Sequence, residues 1–469
     1  MTDAPPHHGP GSAPATGERV SDPVPWSLLP ETAGLDVAGG LSVGGVGVEE
    51  LAERFGTPLF VYDEEHLRRR CREAVRAFGP GGVTYAGKAF LCRAMARLVA
   101  EEGLRLDVAS GGELAVALAA GTPAASCVLH GNNKLPGELA RAVAVGVGRI
   151  VVDSAEEIRR LAALAAGRAE AVAVMVRVTP GVEAHTHTYV STGQVDSKFG
   201  FPLAGGAAER AIREVMGIPG LRLVGLHCHI GSQLFRLDAY ARALERMVPL
   251  VEGLLAEIPP SGSPSLEPFE LSVGGGLGVA YVAGEEAPTL SEWAAFLRRE
   301  AVAAGLPAGV RLTVEPGRAI VAAAALTVYR VGVVKQLPGV RTYVAVDGGM
   351  SDNPRPVLYG SGYEAFLVRA PQARRPLVAR VVGRHCESGD VIVHEAHLPA
   401  DLAVGDLLAT PVTGAYGYSM ASTYNRVPRP AVVFVRDGAA RVVIRRETDA
   451  DLLVLDVDDV AVPDPLAAS

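Results

Sequence analysis

A repeating rhythm constrains this 469-residue chain more than any other feature. Short β-rich runs recur at 83–86, 105–109, 127–130, 149–152, 172–178, 221–229, 269–273 and 311–314. The first five begin roughly 22 residues apart, room for one strand, one helix and their turns. Between the runs, helical periodicity marks 91–102, 112–120, 154–166, 238–257 and 291–304. Strands alternating with helices build parallel βα units. Eight units within roughly 240 residues predict a closed (β/α)8 barrel. The alternative is an open doubly wound sheet, because Gly274-Gly275-Gly276-Leu277-Gly278 follows a strand. One glycine-rich turn weighs less than eight repeats.

Beyond about residue 326 the pattern changes. Strand-like runs at 326–335, 342–346, 377–382, 391–393, 407–412, 431–435 and 441–444 follow one another with few helical patterns, which predicts a second, all-β domain. A helical pattern at 46–55 and a short strand at 59–62 precede the barrel, and the sequence leaves open which unit they join. Residues 1–25 are rich in Pro, Gly and Ser without periodicity and read as a disordered tail. The expected organisation is a tail at 1–25, a barrel at 46–325 and a β-domain at 326–460.

Composition sharpens the functional question. A net charge of −8 argues against a nucleic-acid partner. The longest nearly apolar stretch, 319–329, is too short to span a bilayer, and no secretory pattern opens the chain. Five cysteines (Cys71, Cys92, Cys127, Cys228, Cys386) without CxxC spacing suit a reduced, cytoplasmic protein. Of 44 basic residues only Lys88, Lys134, Lys198 and Lys335 are lysines. A chain that so prefers arginine keeps a lysine where a primary amine is needed.

Barrel active sites lie at the C-terminal strand ends. The residues expected there are Lys88, Asp107, His130, Arg177, His227 and His229, the glycine turn, and Glu315-Pro316-Gly317-Arg318. Lys88 is placed to form a Schiff base, its charge reduced by desolvation. Gly274–Gly276 can present backbone N–H groups to a phosphate. Glu315 can pair with a pyridine nitrogen and keep it protonated, which is what makes pyridoxal phosphate an electron sink. His227 and His229 alternate along one strand and would face the same side. They suit a metal pair, hence a metal-dependent barrel hydrolase, but a flat imidazole stacked on a cofactor explains His229 equally well. His185 and His187 read as a polar loop after the fifth strand.

These residues sit in segments that carry a family resemblance: TYAGKAF, LDVASGGEL, HGNNK, GVEAHTHTYVSTGQVDSKFG, GLHCHIGSQ, VGGGLG, VEPGR, DGGMSDNPRPVLYG, GRHCESGD and TGAYGYSMASTYN. In this order they resemble the fold-type III pyridoxal-phosphate decarboxylases, within them the branch acting on diaminopimelate. The resemblance spans about residues 51–457. It implies an alanine-racemase-like barrel with a C-terminal β-domain and pyridoxal 5'-phosphate held by Lys88. It implies His229 stacked on the ring and Glu315 at its nitrogen. The phosphate would meet Ser232, Gly275, Gly276 and Tyr416, helped by Pro316, Gly317 and Arg318. Arg318, Arg355, Tyr359 and Tyr416 would bind substrate, Glu387 its distal ammonium, and Cys386 would supply the proton that replaces CO2. It also implies a homodimer in which the Cys386 loop completes the partner's site.

The substrate reading has physical content of its own. Diaminopimelate presents a second carboxylate and ammonium; arginine forks match the one and an acid the other. Arg318, Arg355 and Glu387 supply both signs. An ornithine-type substrate would need only an anion for its distal amine. The alternatives are a decarboxylase of another diamino acid or polyamine precursor, and a cofactor-binding relative without catalysis, against which intact Lys88 and Cys386 speak. Three features depart from the usual pattern and could shift substrate preference: Phe90 where Asn is common, Thr423 within the last motif, and Pro354 and Pro356 around Arg355.

Overall fold

The computed structural model describes residue 23 and residues 25–182, 197–257 and 268–457. The tail and the His185/His187 segment therefore lie outside the described residues.

The longest strand before the barrel is β1 (Leu59–Asp63), which follows short strands at Gly34–Leu35, Leu41–Val43 and Val46–Gly47. Eight parallel strands then follow in sequence order: β2 (Thr84–Ala86), β3 (Arg105–Val108), β4 (Cys127–Leu129), β5 (Arg149–Val152), β6 (Val172–Thr179), β7 (Leu221–His227), β8 (Glu270–Ser272) and β9 (Arg311–Thr313). Each pairs with the next. The ring closes between Val83 and Val314, where the Thr84 N–H donates to the Val314 carbonyl at 2.9 Å. The doubly wound alternative fails at this closure, because neighbours in space are neighbours in sequence throughout.

Local chemistry starts the helices between these strands. Ser110 caps Gly111–Ala119 through the Glu113 N–H, and Ser154 caps Ala155–Ala165 through the Glu157 N–H. Thr289 and Glu292 form a capping box at Leu290–Ala303. Alternate residues on β4 to β7 (Val128, Val151, Ala173, Met175, Val224) make a small apolar cluster of their own, as a barrel interior filled separately from its outer shell requires. The strand beginnings are locked by Glu270, a buried carboxylate that accepts from Arg105 at 2.8 and 3.0 Å and from Arg149 at 3.0 Å. All three residues open their strands, so the opposite, C-terminal rim is left to chemistry.

The second sheet contains β10 (Ala325–Leu337), β11 (Arg341–Val346), β13 (Leu377–Val382), β14 (Val391–Leu398), β16 (Ala431–Arg436) and β17 (Ala439–Ile444), with β15 (Leu407–Pro411) paired to β10 and β12 (Phe366–Leu367) paired to β15. Its order is β14-β13-β11-β10-β1-β16-β17. β1 lies inside this sheet, antiparallel to β10 and parallel to β16. The strand whose allegiance the sequence left open thus joins the β-domain. All five of its residues are buried, which suits a central strand covered on both faces. The helical pattern expected from 46 begins as a strand, Val46–Gly47, and turns helical at Val48–Phe55. Among the described residues no helix is long and apolar enough to cross a membrane.

Candidate active site

A cavity of about 740 Å³ opens at the C-terminal rim of the barrel. Its lining includes Lys88, Asp107, His130, Arg177, His227, His229, Ser232, Gly275, Gly276, Glu315, Pro316, Gly317, Arg318, Arg355, Tyr359 and Tyr416. The rim brings these together because each barrel strand ends there: Lys88 just after β2, His130 after β4, His227 at the end of β7, Glu315 after β9. Arg355 and Tyr359 come from the β-domain on one short helix, Arg355–Tyr359. Tyr416 reaches in from the loop after β15; its N–H donates to the Ala89 carbonyl at 2.8 Å, next to Lys88. It does so with φ +59°, a left-handed backbone that a tyrosine adopts at a cost.

The lining carries five cationic side chains (Lys88, Arg177, Lys198, Arg318, Arg355) against two acids (Asp107, Glu315). In a chain of net charge −8 that concentration marks a site for anions. Glu315 is tightly held: its carboxylate accepts from Ser272 Oγ at 3.0 Å, meets His227 Nε2 at 2.9 Å and lies 3.4 Å from His130 Nε2. Burial works to raise its pKa, but His227 and His130 hold it well below the usual carboxylate range. Burial, with Lys88 and Arg177 nearby, likewise keeps His229 well below its ordinary value and therefore neutral. The Gly275 N–H donates to His229 Nδ1 at 3.2 Å, which fixes the ring's tautomer and orientation. Lys88 departs from expectation. Burial lowers its pKa, yet Tyr416, Asp107 and Glu315 outweigh burial, and the net direction is upward. The amine at this rim is more firmly charged than desolvation alone predicts.

Two arginines face the cavity without an acid partner. Arg318 donates to the Tyr281 hydroxyl at 2.6 Å and to Ser232 Oγ at 3.2 Å. Arg355 donates to the Tyr363 hydroxyl and lies 4.2 Å from the centre of the Tyr281 ring. Tyr281 therefore braces both guanidinium groups. Among the described residues neither has a carboxylate within salt-bridge distance, and the buried Nε of each lacks a hydrogen-bond acceptor. Pro354 caps the helix that starts at Arg355, and Pro356 holds its first turn, so the prolines pre-form the arginine's support.

Several expectations change. The glycine turn was expected to present open N–H groups, but the Gly275 amide is engaged by His229. Its glycines answer to crowding: a Cβ on Gly275 would lie 2.3 Å from the Glu315 carbonyl, and one on Gly276 2.3 Å from the Gly231 carbonyl. His227 and His229 do not share one ligand set, because β7 ends at His227 and His229 turns to Gly275. The group close enough to share an ion is His130, His227 and Glu315, within 4.8 Å of one another, and both rings already face the Glu315 carboxylate. Phe90 does not line the cavity; it is buried and stacks on Tyr62 at 4.4 Å in the seam between barrel and β-domain. Thr423 is exposed and also lies off the cavity. Cys386 and Glu387 are exposed on the loop after β13 and do not line it either. Asp107, His130, Arg177, Tyr281 and Tyr363 belong to the site or its support without a role from sequence. The first three stood at strand ends; the two tyrosines carried no signal.

The rim suits pyridoxal phosphate: a lysine beside a fixed carboxylate, a neutral imidazole plane, and unpaired guanidinium donors for anionic groups. Comparison with known proteins agrees. The family model described as the pyridoxal binding domain of pyridoxal-dependent decarboxylases matches residues 64–322, more than half of the chain. A diaminopimelate decarboxylase of Actinosynnema pretiosum is 51% identical, covering 88% of this chain and 92% of the relative. One of Mycobacterium tuberculosis is 49% identical, covering 92% and 98%. Among solved structures, diaminopimelate decarboxylase of M. jannaschii in complex with L-lysine superposes with a TM-score of 0.82 at 32% identity, covering 91% of this chain and 98% of that one.

Proposed function

Because the chain belongs to the pyridoxal-dependent decarboxylase family, we propose that it decarboxylates meso-2,6-diaminopimelate at its D-configured centre, releasing L-lysine and CO2, the last step of lysine biosynthesis by the diaminopimelate route. Its cofactor is pyridoxal 5'-phosphate. One observation carries the substrate: Arg318 and Arg355 line the cavity, braced by Tyr281, with no acid of their own. A buried guanidinium without a counter-charge is costly unless a ligand supplies one. A substrate with a second carboxylate does so; ornithine does not.

The family resemblance, together with position at the rim, supports a role for each residue. Lys88 would carry the cofactor, Glu315 would pair with its ring nitrogen, and the neutral His229 ring would stack against it. Ser232, Gly275, Gly276 and Tyr416 hold the phosphate region with Pro316, Gly317 and Arg318. The bound cofactor supplies the electron sink that makes loss of CO2 feasible. Arg318, Arg355, Tyr359 and Tyr416 orient the substrate so that the reacting carboxylate departs. Two chains pair as a homodimer, so that Glu387 of the partner subunit meets the distal ammonium and Cys386 of the partner subunit gives its proton to the carbon that lost CO2. Support comes from the 386–388 loop, which is exposed and does not line its own chain's cavity, and from Val357 and Leu358, exposed on the helix that bears Arg355. The unpaired cysteines suit a cytoplasmic setting.

A substrate panel tests this. Purified, cofactor-loaded protein should release CO2 and L-lysine from meso-diaminopimelate. Arg355→Ala and Glu387→Ala should each raise KM for it by about tenfold or more while cofactor content holds. Better turnover of lysine or ornithine than of diaminopimelate would overturn the assignment.

A further inference from the structure

The part of the rim that the proposed roles leave unexplained is His130. It follows β4, is buried, and has no assigned contact with substrate or cofactor. Its Nε2 lies 3.4 Å from Glu315 Oε1 and 3.9 Å from Asp107 Oδ1, so one ring nitrogen stands between two buried carboxylates. Asp107 Oδ1 has no hydrogen-bond partner of its own. Glu315, just after β9, also accepts from Ser272 and meets His227, whereas His130 is the side chain that stands near both acids. Without a cation between them, one would have to take up a proton.

The second histidine completes the logic. His227 packs edge-on against His130 with ring centres 5.0 Å apart, and its Nε2 contacts the other Glu315 oxygen at 2.9 Å. Nδ1 of His227 and Nε2 of His130 are both buried without a hydrogen-bond partner, so what separates the two rings is the set of charges around each. Burial drives the His227 pKa down to about 4, with Glu315 a partial offset. Burial lowers that of His130 too, but Asp107 and Glu315 carry it above the ordinary value. Arg177 on β6 opposes this, and Lys88 lines the same cavity. Two imidazoles in one cluster are therefore pushed in opposite directions, His130 toward the charged form and His227 toward the neutral donor.

We propose that His130 is a positioning residue, an imidazolium that stands within ion-pair distance of Asp107 and Glu315 and keeps Glu315 ionised and fixed around the bound cofactor. The proposal rests on reading Glu315 as the partner of the cofactor's ring nitrogen. It acts through Glu315: an ionised, immobile acceptor keeps the ring nitrogen protonated, and His130 supplies the charge that lets the acceptor stay ionised beside Asp107.

Protein loaded with cofactor labelled by ¹⁵N in its ring tests this by NMR. In the wild type the ring nitrogen should stay protonated from about pH 6 to about pH 8. In His130→Asn its titration midpoint should fall inside that window, and kcat should drop by about tenfold or more while KM changes less than about threefold. Glu315→Gln separates the two readings. If Glu315→Gln shifts the ring-nitrogen titration and His130→Asn leaves it at the wild-type position, the His130 proposal fails alone. If neither variant shifts it, the reading of Glu315 fails first. Should His130→Asn not fold or hold cofactor, ¹⁵N-histidine spectra of the wild type decide: a His130 ring still doubly protonated near pH 7.5 supports the proposal, and one already neutral near pH 6.5 overturns it.

Discussion

At the scale of single residues, the four lysines divide by what surrounds each amine. Lys134 Nζ is buried and saturated by the carbonyls of Gly131 at 2.8 Å and Val151 at 2.6 Å and by Glu157 at 2.6 Å. It ties the loop after β4 to β5 and has no freedom to react. Lys335 lies on the half of β10 that pairs with β11 and does not line the cavity. Lys198 lines the cavity beside Phe199, and Lys88 alone directly follows a barrel strand with Glu315 and His229 around it. Borohydride reduction of the cofactor-loaded protein should therefore fix the cofactor to the peptide bearing Lys88. Peptide mapping that finds the label on any other lysine removes the assignment. The same scale explains why arginine dominates elsewhere: Arg105 and Arg149 grip Glu270 through planar forks, a task a single ammonium performs less well.

Between secondary-structure elements, the loop from β11 to the Arg355 helix decides how Arg355 is presented to the cavity. Asp352 anchors it, buried, with Oδ1 accepting the Gly349 N–H at 2.8 Å and Oδ2 2.8 Å from the Tyr329 hydroxyl on β10. Burial raises its pKa to about 7, only partly offset by those two hydrogen bonds. The folded chain then binds a proton that the unfolded chain, with an ordinary carboxyl near 3.8, has released. The stability this protonated group contributes is complete below about pH 4 and is lost as pH rises through about 7. Asp352→Asn keeps the hydrogen-bonding shape and has nothing to titrate. Its Tm minus that of the wild type should therefore grow by about a few degrees between roughly pH 5 and roughly pH 7.5. Calorimetry across that range checks it, and a difference that stays flat with pH would show Asp352 to be ionised throughout.

On the scale of the whole molecule, the geometry leaves a division of labour. One chain assembles the lysine, the carboxylate and the arginines, while its exposed Cys386 and Glu387 do not line that cavity. A two-fold pairing that puts each loop at the other chain's rim gives two equal sites. Lys88→Ala and Cys386→Ala proteins, each inactive alone, should regain activity when mixed under subunit exchange. Random pairing of equal pools makes half the dimers mixed, each with one intact site of two, so recovery should reach about one quarter of wild type. Verified exchange with no recovered activity would sink the shared site and return Cys386 to the status of a surface thiol.

The sequence by itself determined the barrel, because a strand and a helix every 22 or so residues leaves hydrophobic faces that only a ring of parallel strands buries. It also determined which residues reach the rim, since strand ends are legible from period and the C-terminal ends gather in one place: Lys88, His229 and Glu315 were readable for that reason. What it could not decide depends on contacts between elements far apart in the chain. β1 reads as an isolated five-residue strand, and only pairing with β10 and β16, more than 260 residues later, assigns it to the second sheet. Tyr281 and Tyr363 look like ordinary aromatics until folding sets them against Arg318 and Arg355. The charge of Lys88 was misjudged from desolvation alone, because its sign depends on Asp107, Glu315 and Tyr416 arriving from three other elements. Periodicity is a local property of a chain and survives in its sequence; the electrostatics of a site are sums over neighbours, and the tertiary structure alone chooses them.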